Sequence, residues 1–142
     1  MIRHETSVHL NRPVEKVFAF VADSKELPMW QSNLIKSELL TEGPLRVGSR
    51  FHEVRLVRQK ETEIQAEMTA FEPNRRFATK TLSKPEVTVS YSFEPENGGT
   101  RLRYEFSMVT TGLMRLLQPM ILGSIKKDTA SDFEKLKQLL EG

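Results

Sequence analysis

A pair of one-sided strands joined by a tight turn limits this fold more than any other feature. Val87, Val89, Tyr91 and Phe93 alternate with Thr88, Ser90, Ser92 and Glu94. After Asn97-Gly98-Gly99, Leu102, Tyr104, Phe106 and Met108 alternate with Arg101, Arg103, Glu105 and Ser107. Successive side chains leave a strand on opposite faces, and Asn-Gly between two such runs is a strong hairpin signal. The pair therefore forms antiparallel strands with one apolar and one wet face. The apolar face needs a cover, and the C-terminal segment supplies one. Leu113 to Gln118 can form a short helix, and Pro119 starts or kinks the next. Ile121, Ile125, Thr129, Leu136 and Leu140 then lie on one stripe of a long helix, with Leu117 and Leu139 near it and Phe133 at its edge.

The rest of the chain extends this pattern. Ile2 to Leu10 alternates as a half-buried strand. Asn11 stands as a helix N-cap with Pro13 in the first turn. Val14, Val17, Phe18 and Val21 form one helical stripe. Asp23-Ser24 ends that helix or caps a second short turn before Pro28 and Trp30, the only tryptophan. Residues 34–40, 51–57, 61–71 and 76–82 read as strands, with turns at Thr41-Glu42-Gly43-Pro44 and Pro73-Asn74. The expected fold is α+β: a curved antiparallel sheet of six to seven strands wrapped around a long C-terminal helix, with two short helices after the first strand. Residues 1–142 form a single domain in this reading, without repeat or linker.

Composition excludes several function classes. The net charge is +2, and basic residues are interleaved with acidic ones, as at Arg55, Arg58, Lys60, Glu61 and Glu63. Such mixing argues against nucleic acid as a partner. The chain has no cysteine, which removes disulfides, thiolate catalysis and cysteine-bearing zinc sites. His4 and His9 are five residues apart on one strand and point to opposite faces, so they read as surface or edge histidines and no metal site is expected. No Walker loop, Gly-x-Gly-x-x-Gly or Gly-x-Ser-x-Gly occurs, and no cofactor is expected. No secretion signal and no apolar run near the roughly 18 residues of a membrane span are visible. The expectation is a cytoplasmic protein without stable membrane insertion.

A helix laid across a curved sheet can leave a hollow, and candidate binding residues are those that could line it. Tyr91 and Tyr104 stand on the apolar faces of the last two strands, where each either packs or donates to a ligand carbonyl. Met68 and Met120 suit an adaptable lining. Trp30 contacts a ligand or wedges the core. Ile121 lies on the helical stripe, Ser124 at its edge, and Asp128 and Asp132 within or beside it. An acid facing a cavity needs a partner or a raised pKa. His52 is ambiguous: with Val54 and Leu56 inward it enters the hollow, and with Phe51 and Val57 inward Glu53 and Arg55 do. The candidate ligand-binding set is Trp30, His52, Met68, Tyr91, Tyr104, Met120, Ile121, Ser124 and Asp128. His52, Tyr91, Tyr104 and Asp132 are the polar groups that acid–base chemistry would need, and none is assigned as catalytic.

The order of elements and the motifs Asn11-x-Pro13-x-x-x-Val17-Phe18, Pro28-x-Trp30, Val47-Gly48-Ser49-Arg50-Phe51, Phe71-Glu72-Pro73-x-Arg75-Arg76-Phe77, Tyr91-x-Phe93-Glu94-Pro95 and Asp132-Phe133-x-x-Leu136 resemble the START-like helix-grip superfamily, SRPBCC. The chain is most similar to its polyketide cyclase/dehydrase and lipid-transport branch. The resemblance implies a deep pocket between sheet and long helix, without fixing one activity. The leading expectation is binding of a hydrophobic small molecule such as a lipid, isoprenoid or polyketide-like compound, by way of transport or sequestration. A cyclase/dehydratase-like enzyme is one alternative. Another is a cofactor-free interaction or regulatory module, in which the apolar stretch Gly112–Gly123 makes a homodimer contact or touches a membrane.

Overall fold

All seven strands join one antiparallel sheet, in the order β1-β7-β6-β5-β4-β3-β2, in a computed structural model that describes residues 1–142. The strands are β1 (Ile2–Leu10), β2 (Leu34–Leu39), β3 (Arg50–Val57), β4 (Lys60–Glu72), β5 (Arg76–Thr81), β6 (Val87–Glu96) and β7 (Gly99–Met108). The helices are α1 (Val14–Ala22), α2 (Leu27–Trp30) and α3 (Gln118–Glu141), the last preceded by a 3-10 turn at Gly112–Arg115. This is the helix-grip architecture that the alternation and the terminal stripe predict.

Local sequence explains the joints. Asn97 and Gly98 take positive φ values of 47° and 79°, so that Glu96 pairs with Gly99 across a two-residue turn. Gly99 is required for a second reason: a Cβ there would collide with the Leu10 carbonyl. The β3–β4 turn is built from Arg58 and Gln59, both in the left-handed region at φ 54° and 64°, without a glycine to announce it. Asn11 does not cap α1. Pro13 occupies the N-cap position without a side-chain cap, because Asn11 falls two residues too early. Asn11 N–H instead donates to Glu141 Oε2 at 3.0 Å, tying the end of β1 to the end of α3.

The helices share the inner face of the sheet. Phe18 of α1 meets Phe71, Phe77 and Phe93 with ring centroids 5.7, 5.9 and 5.1 Å away; each such pair adds about 0.5–1.5 kcal/mol beyond its buried area. α3 runs alongside β1 in the same direction. Gln118 Oε1 lies 3.2 Å from the Met1 nitrogen at one end, and Lys137 Nζ donates to the His9 carbonyl at 3.2 Å near the other. The helix is rolled from its expected setting. Phe133 sits in the core rather than at the stripe's edge, between Trp30 and Tyr104 at 6.1 and 5.4 Å, and Leu139 is exposed.

Candidate functional site: a polar corner on the inner face of the sheet

The register decides which face of β3 looks inward. Phe51 pairs with Ala66, Glu53 with Ile64 and Arg55 with Thr62. Ala66 pairs in turn with Thr81, and Phe51 and Ala66 are both buried, so Phe51, Glu53 and Arg55 share the inner face. His52 is on the opposite face, its Nε2 3.7 Å from the exposed Glu63 carboxylate. Its expected place in the hollow is thereby corrected: the alternation of β3 is carried by Phe51, and the two charged residues that follow it turn inward.

Arg55 and Glu53 are the centre of a polar corner. Arg55 donates Nε–H to Glu53 Oε1 at 2.9 Å, one terminal N–H to Asn33 Oδ1 at 3.1 Å and another to Gln31 Oε1 at 3.0 Å. Gln31 Nε2 donates onward to the Tyr91 hydroxyl at 3.4 Å. Ser32, between them, donates its backbone N–H and its hydroxyl to Asp132 Oδ1 at 3.0 and 2.9 Å. Three consecutive residues after α2 thus tie β3, β6 and α3 together. The Glu53 and Arg55 side chains keep 13% and 24% of their surface accessible.

Burial tunes the acids and phenols around this corner. Burial pushes the Asp132 carboxyl upward, and the two Ser32 donors oppose it. Tyr91 is raised well above the usual phenol value, by burial first and then by Tyr104. Tyr104 is pushed up to about 12, chiefly by burial. Both tyrosines therefore stay protonated at neutral pH and act as donors, not as bases. Trp30 Nε1 is buried without a partner, as is Ser37 Oγ, which stands opposite Glu53 on β2. The corner can hold and orient a polar group. It shows no nucleophile paired with a base.

Packing falls off along the grip. Thr100, Leu102 and Phe93 are buried at the end nearest α1, as are Thr129, Phe133 and Leu136 in the later part of α3. At the other end Ile2 is buried on the edge strand, but Val87, Val89, Phe106 and Met108 on the sheet are only half-buried, as are Ile121, Leu122 and Ile125 on the helix. His4 stands on this inner face, edge-on to Tyr104 at 6.5 Å. It is an edge-strand histidine, as expected, but it faces inward, because its partner in the register is the inward Phe106. Burial and then Lys126 hold its pKa below the ordinary value.

The sequence-based candidates divide accordingly. Trp30, Tyr91 and Tyr104 come together, with Trp30 only 1% exposed and 6.5 Å from Tyr91. Met68 belongs to the same buried cluster. Ile121 is half-buried at the looser end. Met120, Ser124 and Asp128 are exposed, because the roll that buries Phe133 turns that side of α3 to solvent. Gln31, Asn33, Glu53 and Arg55 complete the site. The inward choice on β3 already contained the last two, whereas nothing local in the sequence marks Gln31 or Asn33. No cluster of three His, Cys, Asp or Glu side chains suited to a metal is present. No helix is long and apolar enough to cross a membrane.

The family model described as polyketide cyclase / dehydrase and lipid transport matches residues 1–141. No protein of curated function matches in sequence. Among solved structures, TTHA0849 from Thermus thermophilus superposes with a TM-score of 0.82 at 15% identity, over 96% of this chain and 95% of that one. A START superfamily protein from Mycobacterium smegmatis gives 0.80 at 13% identity, over 98% and 97%. The di-domain ARO/CYC BexL from the BE-7585A biosynthetic pathway gives 0.78 at 15% identity, over 99% of this chain and 47% of that one. At these identities the likeness is one of fold.

Proposed function

The chain belongs to the polyketide cyclase / dehydrase and lipid transport family, and from that premise we propose that it binds a hydrophobic small molecule, a lipid, isoprenoid or polyketide-like compound, between the sheet and the first half of α3. Transport or sequestration, not turnover, is its role. The observation that carries the reading is the fall in packing along the grip. Val89, Phe106 and Ile125 face the interior yet are only half-buried, while Leu102 and Leu136 are sealed. Apolar surface left uncovered on facing elements is what an apolar guest covers, and each methylene it buries contributes about 0.8 kcal/mol.

A ring-closing enzyme is the less favoured reading. Such a reaction needs a group that can take up a proton near neutral pH. The tyrosines are held protonated, His52 faces outward, Asp132 is engaged by Ser32 and Glu53 by Arg55, which leaves His4, with an aromatic ring rather than a polar partner beside it. The deciding experiment is displacement of the neutral apolar dye N-phenyl-1-naphthylamine by a graded alkyl series, with native mass spectrometry of protein purified without detergent. Saturable dye binding that weakens in Ile125→Asp supports the reading. Absence of any saturable dye binding, with no co-purified mass, would remove it.

A further inference from the structure

We propose that the polar corner selects guests by charge: it accepts a neutral oxygen-bearing head, a carbonyl or hydroxyl, and rejects a carboxylate, with Glu53 as the specificity-determining residue. The inference rests on the binding role proposed above and names the chemical class of the ligand.

The argument is a count of charges and unspent hydrogen bonds. Three charged groups converge on the region of Tyr91: Arg55, Glu53 and Asp132. Glu53 offsets Arg55 through a 2.9 Å contact, and Asp132 adds a further acid. An incoming carboxylate would meet Arg55 already paired with Glu53 and a second acid nearby, so what it gains from the remaining donors does not offset the loss of its water. A neutral head escapes that desolvation cost.

The corner still has donors to offer. Arg55 spends three of its five N–H groups on Glu53, Asn33 and Gln31. Tyr91 accepts from Gln31 and keeps its own O–H to donate. Trp30 Nε1–H, on the ring adjoining Tyr91, has no partner. A carbonyl oxygen satisfies such donors without bringing a charge. Glu53 and Asp132 each retain a second oxygen, which a ligand hydroxyl can use. An unpaired buried donor costs free energy, so a guest supplying an acceptor gains more than a bare hydrocarbon of the same length. The tail then runs away from the corner beneath the loosely packed half of α3.

The test is dye displacement at pH 7.5 by four guests of matched chain length: an alkane, a methyl ketone, a carboxylate and an amine. The native protein is expected to bind the ketone about tenfold more tightly than the carboxylate, the size of a modest like-charge penalty. Glu53→Gln, which frees the charge of Arg55, should close that gap. Arg55→Gln, which leaves Glu53 alone, should weaken the ketone and strengthen the amine; if either variant folds poorly, the rank order of the four guests on the native protein still decides the proposal. A carboxylate or amine that binds the native protein most tightly overturns the proposal. So does a ketone no better than the alkane, or a rank order unchanged in both variants. In each of those cases the dye still binds, so the corner fails while the binding role stands; loss of dye binding itself removes both.

Discussion

Ser32 gives two donors, its backbone N–H and its hydroxyl, to one oxygen of Asp132, at 3.0 and 2.9 Å and across 100 residues of sequence. The contact fixes the end of α2 against the middle of α3. It answers what a half-buried acid on an otherwise apolar stripe is for: it is a latch between helices.

Asp132→Ala should therefore cost about 1–3 kcal/mol, because both Ser32 donors lose their acceptor, while Asp132→Asn, which keeps one, costs less. The carboxyl is raised by burial, so the folded state holds its proton more tightly than the unfolded chain does. That contribution is present in acid and is lost as pH rises through the raised value. Urea midpoints from pH 4 to pH 7 should show this slope in the native protein and not in Asp132→Asn.

The face assignment of β3 has a direct check. Arg55→Met leaves Glu53, Gln31 and Asn33 without their donor and is expected to destabilise by roughly 2–4 kcal/mol. His52→Ala, one residue from the pair's centre but on the outer face, should stay within about 0.5 kcal/mol. Equal losses in thermal unfolding would contradict the register.

The packing gradient predicts unequal costs along α3. Leu136→Ala opens a sealed core and should cost roughly 2–5 kcal/mol. Ile125→Ala, on the half-buried stretch, should fall below that range without a guest, because little of a cavity is left behind. Chemical denaturation of both variants, with and without a bound alkyl ketone, measures the difference.

Arg58 and Gln59 both carry positive φ in the β3–β4 turn. A side chain there costs about 1 kcal/mol that glycine avoids. Gln59→Gly is expected to raise the unfolding free energy by up to about 1 kcal/mol, read as a higher denaturation midpoint with an unchanged slope; a lowered midpoint would show that the Gln59 side chain holds the turn.

His4 supplies a pH dependence of opposite sign to that of Asp132. Burial and then Lys126 lower its pKa from 6.5, so the unfolded chain takes up the proton more readily. The penalty is present in acid and fades as pH rises toward 6.5. Thermal unfolding at pH 5.5 and pH 7.5 should differ less in His4→Gln than in the native protein.

The fold was legible because most strands declare one face and α3 declares one stripe. Val87 to Phe93 and Leu102 to Met108 leave no choice of inward side. β3 does: Phe51 and Val57 compete with Val54 and Leu56, and only the pairing of Phe51 with Ala66 settles the matter. The setting of α3 was missed by a small roll, since leucine and isoleucine occur on several of its faces and the wheel cannot weigh Phe133 against Ile121. Gln31 and Asn33 act through partners distant in sequence, Tyr91 and Arg55, and polar side chains after a short helix look like any loop. Buried polar networks depend on three-dimensional convergence, which periodicity does not encode.

α3 is fastened at its far end and at its waist, by Glu141 to Asn11, Lys137 to His9 and Asp132 to Ser32. At its front one side chain, Gln118, carries both ties, to the Met1 nitrogen and to the Thr110 hydroxyl. A rod bolted along half its length and hooked at a single point beyond has its weakest fastening at the hook, so local opening there demands less free energy than unfolding of the whole.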